Sequence, residues 1–278
     1  MGKKIKRFVK NASTLLKRKK IIPVVVEKTE GLLSGKRALI IGGDGGIGFA
    51  IAKEFVNSGC QVAITGRKPD KLERCNKECE ELKTIVFTLD DFEKYESVIA
   101  DASEVLSGKI DIVVNAAGVH TQYAGFNFLN VTSEEYDRVM NVNLKSNYFL
   151  CQKAGKYFIS NKIKGHILLI SSQTALFPSW SPYRLSKRGL EGLIEGAAQQ
   201  LIEYGIVVNG IGPGQANTEM IDYQKGDSIY TDDNPIERMV TVEEIAQVAK
   251  LLVSEQGNSI IGQTIYMSGG KGIIDKGQ

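Results

Sequence analysis

The chain has no run of 18 apolar residues, so no segment reads as a membrane-crossing helix. Its four cysteines (Cys60, Cys75, Cys79 and Cys151) form no C-x-x-C pair and no framework spacing. Cys75 and Cys79 lie four apart in a stretch that reads as helix, a poor geometry for a disulfide. The expectation is a reduced, cytoplasmic protein. There are only two histidines, His120 and His166, and no cluster of ligands, so no metal is expected. Neither an internal repeat nor a low-complexity tract is found. The first twenty residues contain no acid but nine Lys or Arg, which leaves 26 bases against 32 acids over residues 21–278. A mildly acidic body thus follows a strongly basic front end. That front end lacks the apolar core of a secretion signal, because 21–26 is short, contains Pro23 and is followed by Glu27. It also lacks aromatics beyond Phe8, which argues against a nucleic-acid partner.

What is present fits one large α/β domain over residues 31–278, behind a basic extension over 1–30. Ile5, Phe8, Val9, Ala12, Leu15 and Leu16 fall on one side of a helix drawn over 1–20, with lysines around them. Two readings stay open there: an arm that reaches a membrane surface or another subunit, and a solvated extension. Residues 21–35 read as an extended linker. Strands at 37–41, 61–65, 83–88, 110–114, 166–170, 206–211 and 264–267 then alternate with helices at 46–57, 69–82, 95–107, 133–160, 182–203 and 241–254. Thr132 or Ser133 caps the long fourth helix. Strict alternation of this kind means a parallel sheet wrapped by helices. Residues 215–240 lack periodicity and hold Gly226, Asp232, Asp233, Asn234 and Pro235, a loop-rich insertion long enough to be a lid.

In an open parallel sheet, ligands bind beyond the carboxyl ends of the strands. The first strand runs into Gly42, Gly46 and Gly48, and Ile47, Ile51, Ala52 and Phe55 then recur at helical spacing. A helix starting there points unpaired N–H groups and the positive end of its dipole at the turn, which suits a pyrophosphate. Such turns are also common without a ligand, so the whole rim has to carry the reading. The other strands end at Thr65-Gly66-Arg67, Asp90-Asp91-Phe92, Asn115-Ala116-Ala117-Gly118, Ser171-Ser172-Gln173 and Gly212-Pro213-Gly214. Six strands thus place small or polar residues on one edge. Helix 182–203 adds Tyr183 and Lys187, four apart on one face. An ammonium beside a tyrosine favours the phenolate and lowers its ordinary value near 10. A drop of about three units needs roughly 4 kcal/mol, and the result would exchange a proton with a hydroxyl or carbonyl oxygen at neutral pH. Taken alone, the pair reads equally well as exposed helical neighbours.

Taken in order, these residues resemble the short-chain dehydrogenase/reductase family over about residues 35–272. Gly42-Gly43-Asp44-Gly45-Gly46-Ile47-Gly48 matches the family's G-x-x-x-G-x-G turn, and Asn115-Ala116-Ala117-Gly118 its N-N-A-G stretch. Asn143 matches the helix asparagine of the catalytic tetrad, and Tyr183-Arg-Leu-Ser-Lys187 the Y-x-x-x-K. Pro213-Gly214 with Thr218 matches the segment that covers the nicotinamide, and Ile261-Gly262-Gln263 with Gly269-Gly270 the usual ending.

The resemblance implies a three-layer, doubly wound Rossmann fold with a seven-stranded parallel sheet, and an oxidoreductase that interconverts a secondary alcohol and a ketone. It makes Tyr183 the general acid/base, with Lys187 holding the nicotinamide ribose and depressing the tyrosine. Ser172 would hold the substrate oxygen, Asn143 a relay water, and Asp91 the adenine with Phe92 beside it. Ser172 is chosen over Ser171 because the family's serine is usually the second of such a pair. Its spacing of 11 from Tyr183, with Pro178 and Pro182 between, is about two shorter than usual. Ile41 stands where a threonine normally braces the turn, and Asp44 where a small or hydroxylated residue is usual.

About twenty residues past the glycines, an NAD-binding fold would place an acid, but Gly66 stands there, followed by Arg67. Arg67 favours NADP(H). Asp44 keeps NAD(H) open, because its charge would repel a 2′-phosphate. Gln173, Phe177 and Trp180, with the 215–240 loop, are the expected substrate wall for a small carbonyl or alcohol compound. Family members pair through the helices at 133–160 and 182–203, which implies a homodimer or homotetramer. The alternatives are an NAD-dependent sugar, polyol or glycan-precursor dehydrogenase, and a non-catalytic nucleotide-binding protein that uses its basic arm.

Overall fold

A computed structural model describes residues 31–89, 94–120, 126–221, 223–224 and 226–272. The basic arm, Asp91 and Phe92 lie outside the described residues. Seven strands form one parallel sheet in the order β3-β2-β1-β4-β5-β6-β7. They are β1 (Arg37–Ile41), β2 (Gln61–Gly66), β3 (Lys83–Val86), β4 (Ile112–Asn115), β5 (His166–Ile170), β6 (Val207–Pro213) and β7 (Thr264–Met267). The central strands read as unbroken apolar runs because both faces are covered, and β4, β5 and β6 are buried at every residue. Alternation along β1 splits the core in two. Ala38 and Ile40 face Ile51, Phe55, Ile245 and Leu252 on one side. Leu39 and Ile41 face Tyr95, Phe158 and Ile194 on the other.

The first layer is made by α1 (Gly46–Asn57) and α7 (Val242–Leu252), and the second by α3 (Tyr95–Val105), α5 (Ser146–Asn161) and α6 (Pro182–Leu201). The chain runs outward from β1 to β3 and then returns to place β4 on the other flank of β1. That reversal opens a crevice at the carboxyl ends of β1 and β4, where doubly wound sheets bind their ligands.

Four segments depart from the expectations, each for a local reason. The stretch just before β1 is not an extended linker: residues 31–35 turn, and Leu33 is buried with its N–H donating to the Ser58 carbonyl. Helix α2 (Pro69–Glu78) stops four residues earlier than the periodicity suggests. Asn76 Nδ2 donates to the Leu82 carbonyl at 2.7 Å, which draws the chain into β3. The long fourth helix is two helices, α4 (Ser133–Met140) and α5, joined by a wider turn of π type over Asn141–Lys145. Thr132 caps α4 by accepting from the Glu135 N–H. Residues 215–240 are partly built rather than bare loop. Ala216 bridges Val240, Tyr230 bridges Arg238, and Arg238 grips Glu244 with two bonds of 2.7–2.8 Å.

One buried ion pair fastens α7 to α1. Lys250 Nζ lies 2.6 Å from Glu54 Oε1, and the two side chains are 4% and 15% exposed. Removing one partner strands the other charge in the interface. Lys250→Met alone should therefore lower the unfolding free energy by roughly 3 kcal/mol in urea denaturation. Lys250→Met with Glu54→Leu should recover most of that loss.

Candidate active site

The crevice holds a cleft of about 520 Å³. Its walls are the β1–α1 turn, Thr65 to Lys68 after β2, Phe87 and Leu89 after β3, Ala116 to Val119 after β4, and Thr218 to Met220 from the 215–240 segment. The turn is tight because side chains are absent where backbone meets backbone. Gly42 has φ +70°, and a Cβ there would lie 2.8 Å from Ala117. A Cβ on Gly48 would lie 2.2 Å from the Gly42 carbonyl oxygen. The threonine missing at position 41 is replaced from β2. Gly42 N–H donates to Thr65 Oγ1 at 3.3 Å, and Gly43 N–H to the Thr65 carbonyl at 2.9 Å. Helix α1 begins at Gly46 with no side-chain cap and no acid in its first turn. An anion placed there meets free N–H groups, with Asp44, two residues before the helix start, as the carboxylate of the same turn. Thr218 closes the turn from above, since a Cβ on Gly46 would lie 2.9 Å from its Cγ2. This cradle fits a dinucleotide pyrophosphate.

Further along the rim, Pro213 ends β6 and Gly214 N–H donates to the Met267 carbonyl. Gln173 lies beside Gly214, and its Oε1 is a buried acceptor without a partner among the described residues. An amide group entering there would find an acceptor waiting.

At the adenosine end, Gly66 is bare and Asp44 takes the room it leaves. A Cβ on Gly66 would meet Asp44 Oδ2 at 2.6 Å. Arg67 and Lys68 stand exposed beside it, whereas Lys71 is tied to Glu219 at 2.9 Å across the mouth.

Helix α6 carries the reactive pair. Ser181 caps it by accepting from the Arg184 N–H, and Pro182 sits at its first turn, so Tyr183 is carried from a fixed start. Lys187 is buried, donates from Nζ to the Ile170 carbonyl at 2.8 Å, and lies 5.8 Å from the Tyr183 ring centre. Burial brings the lysine down to about 8, opposed by Glu191. The expected lowering of Tyr183 by Lys187 is not what the chain alone produces. Burial pushes the phenol up, and a hydrogen bond with Ser172 pulls the other way. The ammonium is committed to a carbonyl, and it is itself weakened by burial. The two adjacent serines have different partners: Ser172 meets Tyr183, whereas Ser171 donates to Glu191 Oε1. The short connection, turned once over Gln173–Leu176, still delivers this contact.

Asn143 is fully buried in the π turn. Its Oδ1 accepts from Val119 N–H and its Nδ2 donates to the Val119 carbonyl, both at 2.9 Å. Its own carbonyl accepts from Asn147 Nδ2, and Asn147 Oδ1 accepts from Asn115 Nδ2. Asn115 Oδ1 in turn receives the Ala117 N–H. The Asn143 side chain thus holds the Val119 backbone and Asn115 holds that of Ala117, with Gly118 between them facing Lys187 Nζ.

Of the expected substrate residues, Trp180 borders a second hollow of about 270 Å³ with His120, Phe126, Tyr183 and Arg184. Its ring lies 5.0 Å from Phe126, and the His120 ring 4.4 Å from Tyr183. Phe177 packs against Gly272 instead. Sequence reasoning missed Asn147, Glu191, Arg138 and the Phe87–Leu89 wall. Asn147, four residues after Asn143 on the same helix, was the signal available for the first.

A family model described as Enoyl-(Acyl carrier protein) reductase matches residues 42–271. The 3-oxoacyl-(acyl-carrier-protein) reductase FabG of Rickettsia conorii is 33% identical over 243 residues, covering 86% of this chain and 97% of the relative. Gluconate 5-dehydrogenase of Gluconobacter oxydans is 30% identical, with 86% and 95% covered. A crystal structure of a short chain dehydrogenase from Bacillus anthracis superposes with a TM-score of 0.78 at 26% identity, covering 88% of this chain and all of that one.

The turn yields a paired test. Gly48→Ala drives its methyl into the Gly42 carbonyl and should abolish dinucleotide binding in calorimetry. Gly45→Ala, whose Cβ would lie an ordinary 3.4 Å from that oxygen, should keep it.

Proposed function

The chain belongs to the short-chain dehydrogenase/reductase family, and from that premise we propose that it interconverts a secondary alcohol and a ketone by hydride transfer, with Tyr183 as the general acid/base. It is an NAD(P)-dependent oxidoreductase built on a Rossmann fold. The observation that supports the reading is the convergence of Tyr183, Ser172 and buried Lys187 at the end of β5, with Lys187 Nζ facing Gly118 of the cleft wall. The dinucleotide supplies the hydride. Ser172 Oγ holds the substrate oxygen against the Tyr183 hydroxyl. A protonated Tyr183 donates its proton to a carbonyl oxygen when a ketone is reduced, and burial raises the phenol further. Lys187 holds the nicotinamide ribose, and Asn143 fixes the loop that carries Gly118. Trp180 and Phe126 give the substrate mouth an apolar wall. The names of both curated relatives above describe an oxo/hydroxyl couple, in keeping with this.

NADP(H) is favoured by Arg67, with Lys68 beside it in the same wall. A second reading, NAD(H), is favoured by Asp44, whose carboxylate fills the place of a side chain on Gly66. A carboxylate there accepts a ribose 2′-hydroxyl and repels a 2′-phosphate. The reading extends to a homodimer or homotetramer through α5 and α6, where Tyr148, Ile159 and Leu185 leave apolar surface exposed, as does Ile202 just past the end of α6.

A panel of ketones and sugar derivatives with NADPH and NADH tests the reaction. Tyr183→Phe should lower kcat/KM by about 10²–10⁴-fold while dinucleotide affinity is unchanged. Full activity in Tyr183→Phe would remove the acid/base assignment. Cofactor choice is read from the same panel. Arg67→Ala should weaken NADPH by about tenfold, and Asp44→Ser should improve it by a similar factor. A wild-type preference for NADH that Asp44→Ser erases would select the NAD(H) reading.

A further inference from the structure

Three consecutive residues at the end of β5 meet three successive turns of α6. The Ile170 carbonyl accepts from Lys187, Ser171 donates to Glu191, and Ser172 bonds Tyr183. Tyr183, Lys187 and Glu191 are spaced four apart, so they lie in one row along the helix. Glu191 has a further tie, a hydrogen bond from the Tyr266 phenol of β7. Tyr266 is itself fixed against Gly212 of β6, where a Cβ would meet its ring at 2.5 Å.

The proton-transfer reading uses Tyr183, Lys187 and Ser172 and leaves Glu191 without a part. Glu191 is half-buried, with its carboxylate turned to the end of β5 by Ser171. That position gives it a part. Lys187 is only 4% exposed, and its direct acceptor, the Ile170 carbonyl, is neutral. Burial of that depth drives an ammonium toward losing its proton. Among the described residues, Glu191 is the charged group found to act against that loss. The other ionisable neighbours of the row are Tyr183, Arg188 and Glu195 on α6 and Tyr266 on β7. Among the described residues, the ends of β4 and β5 and the π turn bring the His120 ring, 4.4 Å from Tyr183, together with hydroxyls, carbonyls and the neutral amides of Asn115 and Asn143.

We infer that Glu191 is a positioning residue of the proton-transfer site: it clamps α6 to Ser171 and Tyr266 and, one turn from Lys187, keeps the buried ammonium charged. The inference rests on the oxidoreductase reading only for its effect on turnover. The test is an NMR pH titration of the full chain with isotope-labelled lysine, the Lys187 signal being assigned by its loss in Lys187→Arg. The wild-type midpoint should fall near 8. Glu191→Gln is nearly isosteric and should move it to lower pH by about half a pH unit. Tyr266→Phe keeps the carboxylate but removes the phenol that shares its charge, and should move the midpoint upward.

A merely structural Glu191 would leave both variants unshifted or shift them the same way, and either result overturns the inference. Thermal melting shows that each variant is folded, and if Glu191→Gln is not, the sign in Tyr266→Phe decides alone. In turnover, ketone reduction needs the charged lysine, so the alkaline limb of kcat/KM should move to lower pH in Glu191→Gln. If the wild-type chain turns over no carbonyl compound, the oxidoreductase reading fails while the titration still decides the part of Glu191.

Discussion

The rim of this sheet depends on one contact that a side chain would forbid, the approach of the Gly48 Cα to the Gly42 carbonyl. It lets β1 reverse into α1 within a few residues, so that the helix start faces the crevice rather than running past it. Thr65 braces the same turn from β2, and Thr218 covers it from the 215–240 segment. Three separate parts of the chain are thereby referenced to one small piece of backbone. The cleft is accordingly a property of the sheet's strand order as much as of the turn.

Opposite the turn, α6 has to satisfy conflicting demands. Lys187 is buried beside Tyr183, and that burial erodes its charge. The chain meets this with short-range ties rather than with a direct ion pair on the lysine. The end of β5 offers a carbonyl and two hydroxyls in succession, and the helix answers them with Lys187, Glu191 and Tyr183, which stand one turn apart along it. Tyr183 is held by the same zipper, which is why its phenol is shaped by burial and Ser172 rather than by the lysine alone.

The layers, the parallel sheet and the position of the cleft were legible because buried parallel strands leave unbroken apolar runs and small residues at their ends. Ile110 to Asn115, His166 to Ser172 and the glycine turn show this plainly. Four features were not legible, and the causes are specific. The end of α2 was hidden because Asn76 ends the helix with its side chain, which periodicity does not register. The π turn was hidden because apolar spacing survives one added residue. Glu191 reads as a solvent-facing residue until Ser171 and Tyr266 are seen to reach it. The direction of the Tyr183 shift was missed because four-residue spacing reveals the lysine but not the depth of the pocket. The choice of Ser172 over its neighbour rested only on the pattern of the pair, and Ser172 is the one of the two that meets Tyr183.

The π turn between α4 and α5 acts as a phase adjuster. An α-helix advances about 100° per residue, so one extra residue rotates everything before it by nearly a third of a revolution relative to everything after. With the insertion, α4 presents Arg138 to the cleft and Val139 to the interior while α5 keeps Leu150, Cys151 and Phe158 against the sheet. Leu144, on the widened turn, finds its berth where Gly189 of α6 has no side chain. Trimming the turn back to a regular helix would tighten its hydrogen bonding and swing the whole of α4 off target, so local regularity has been traded for azimuthal alignment.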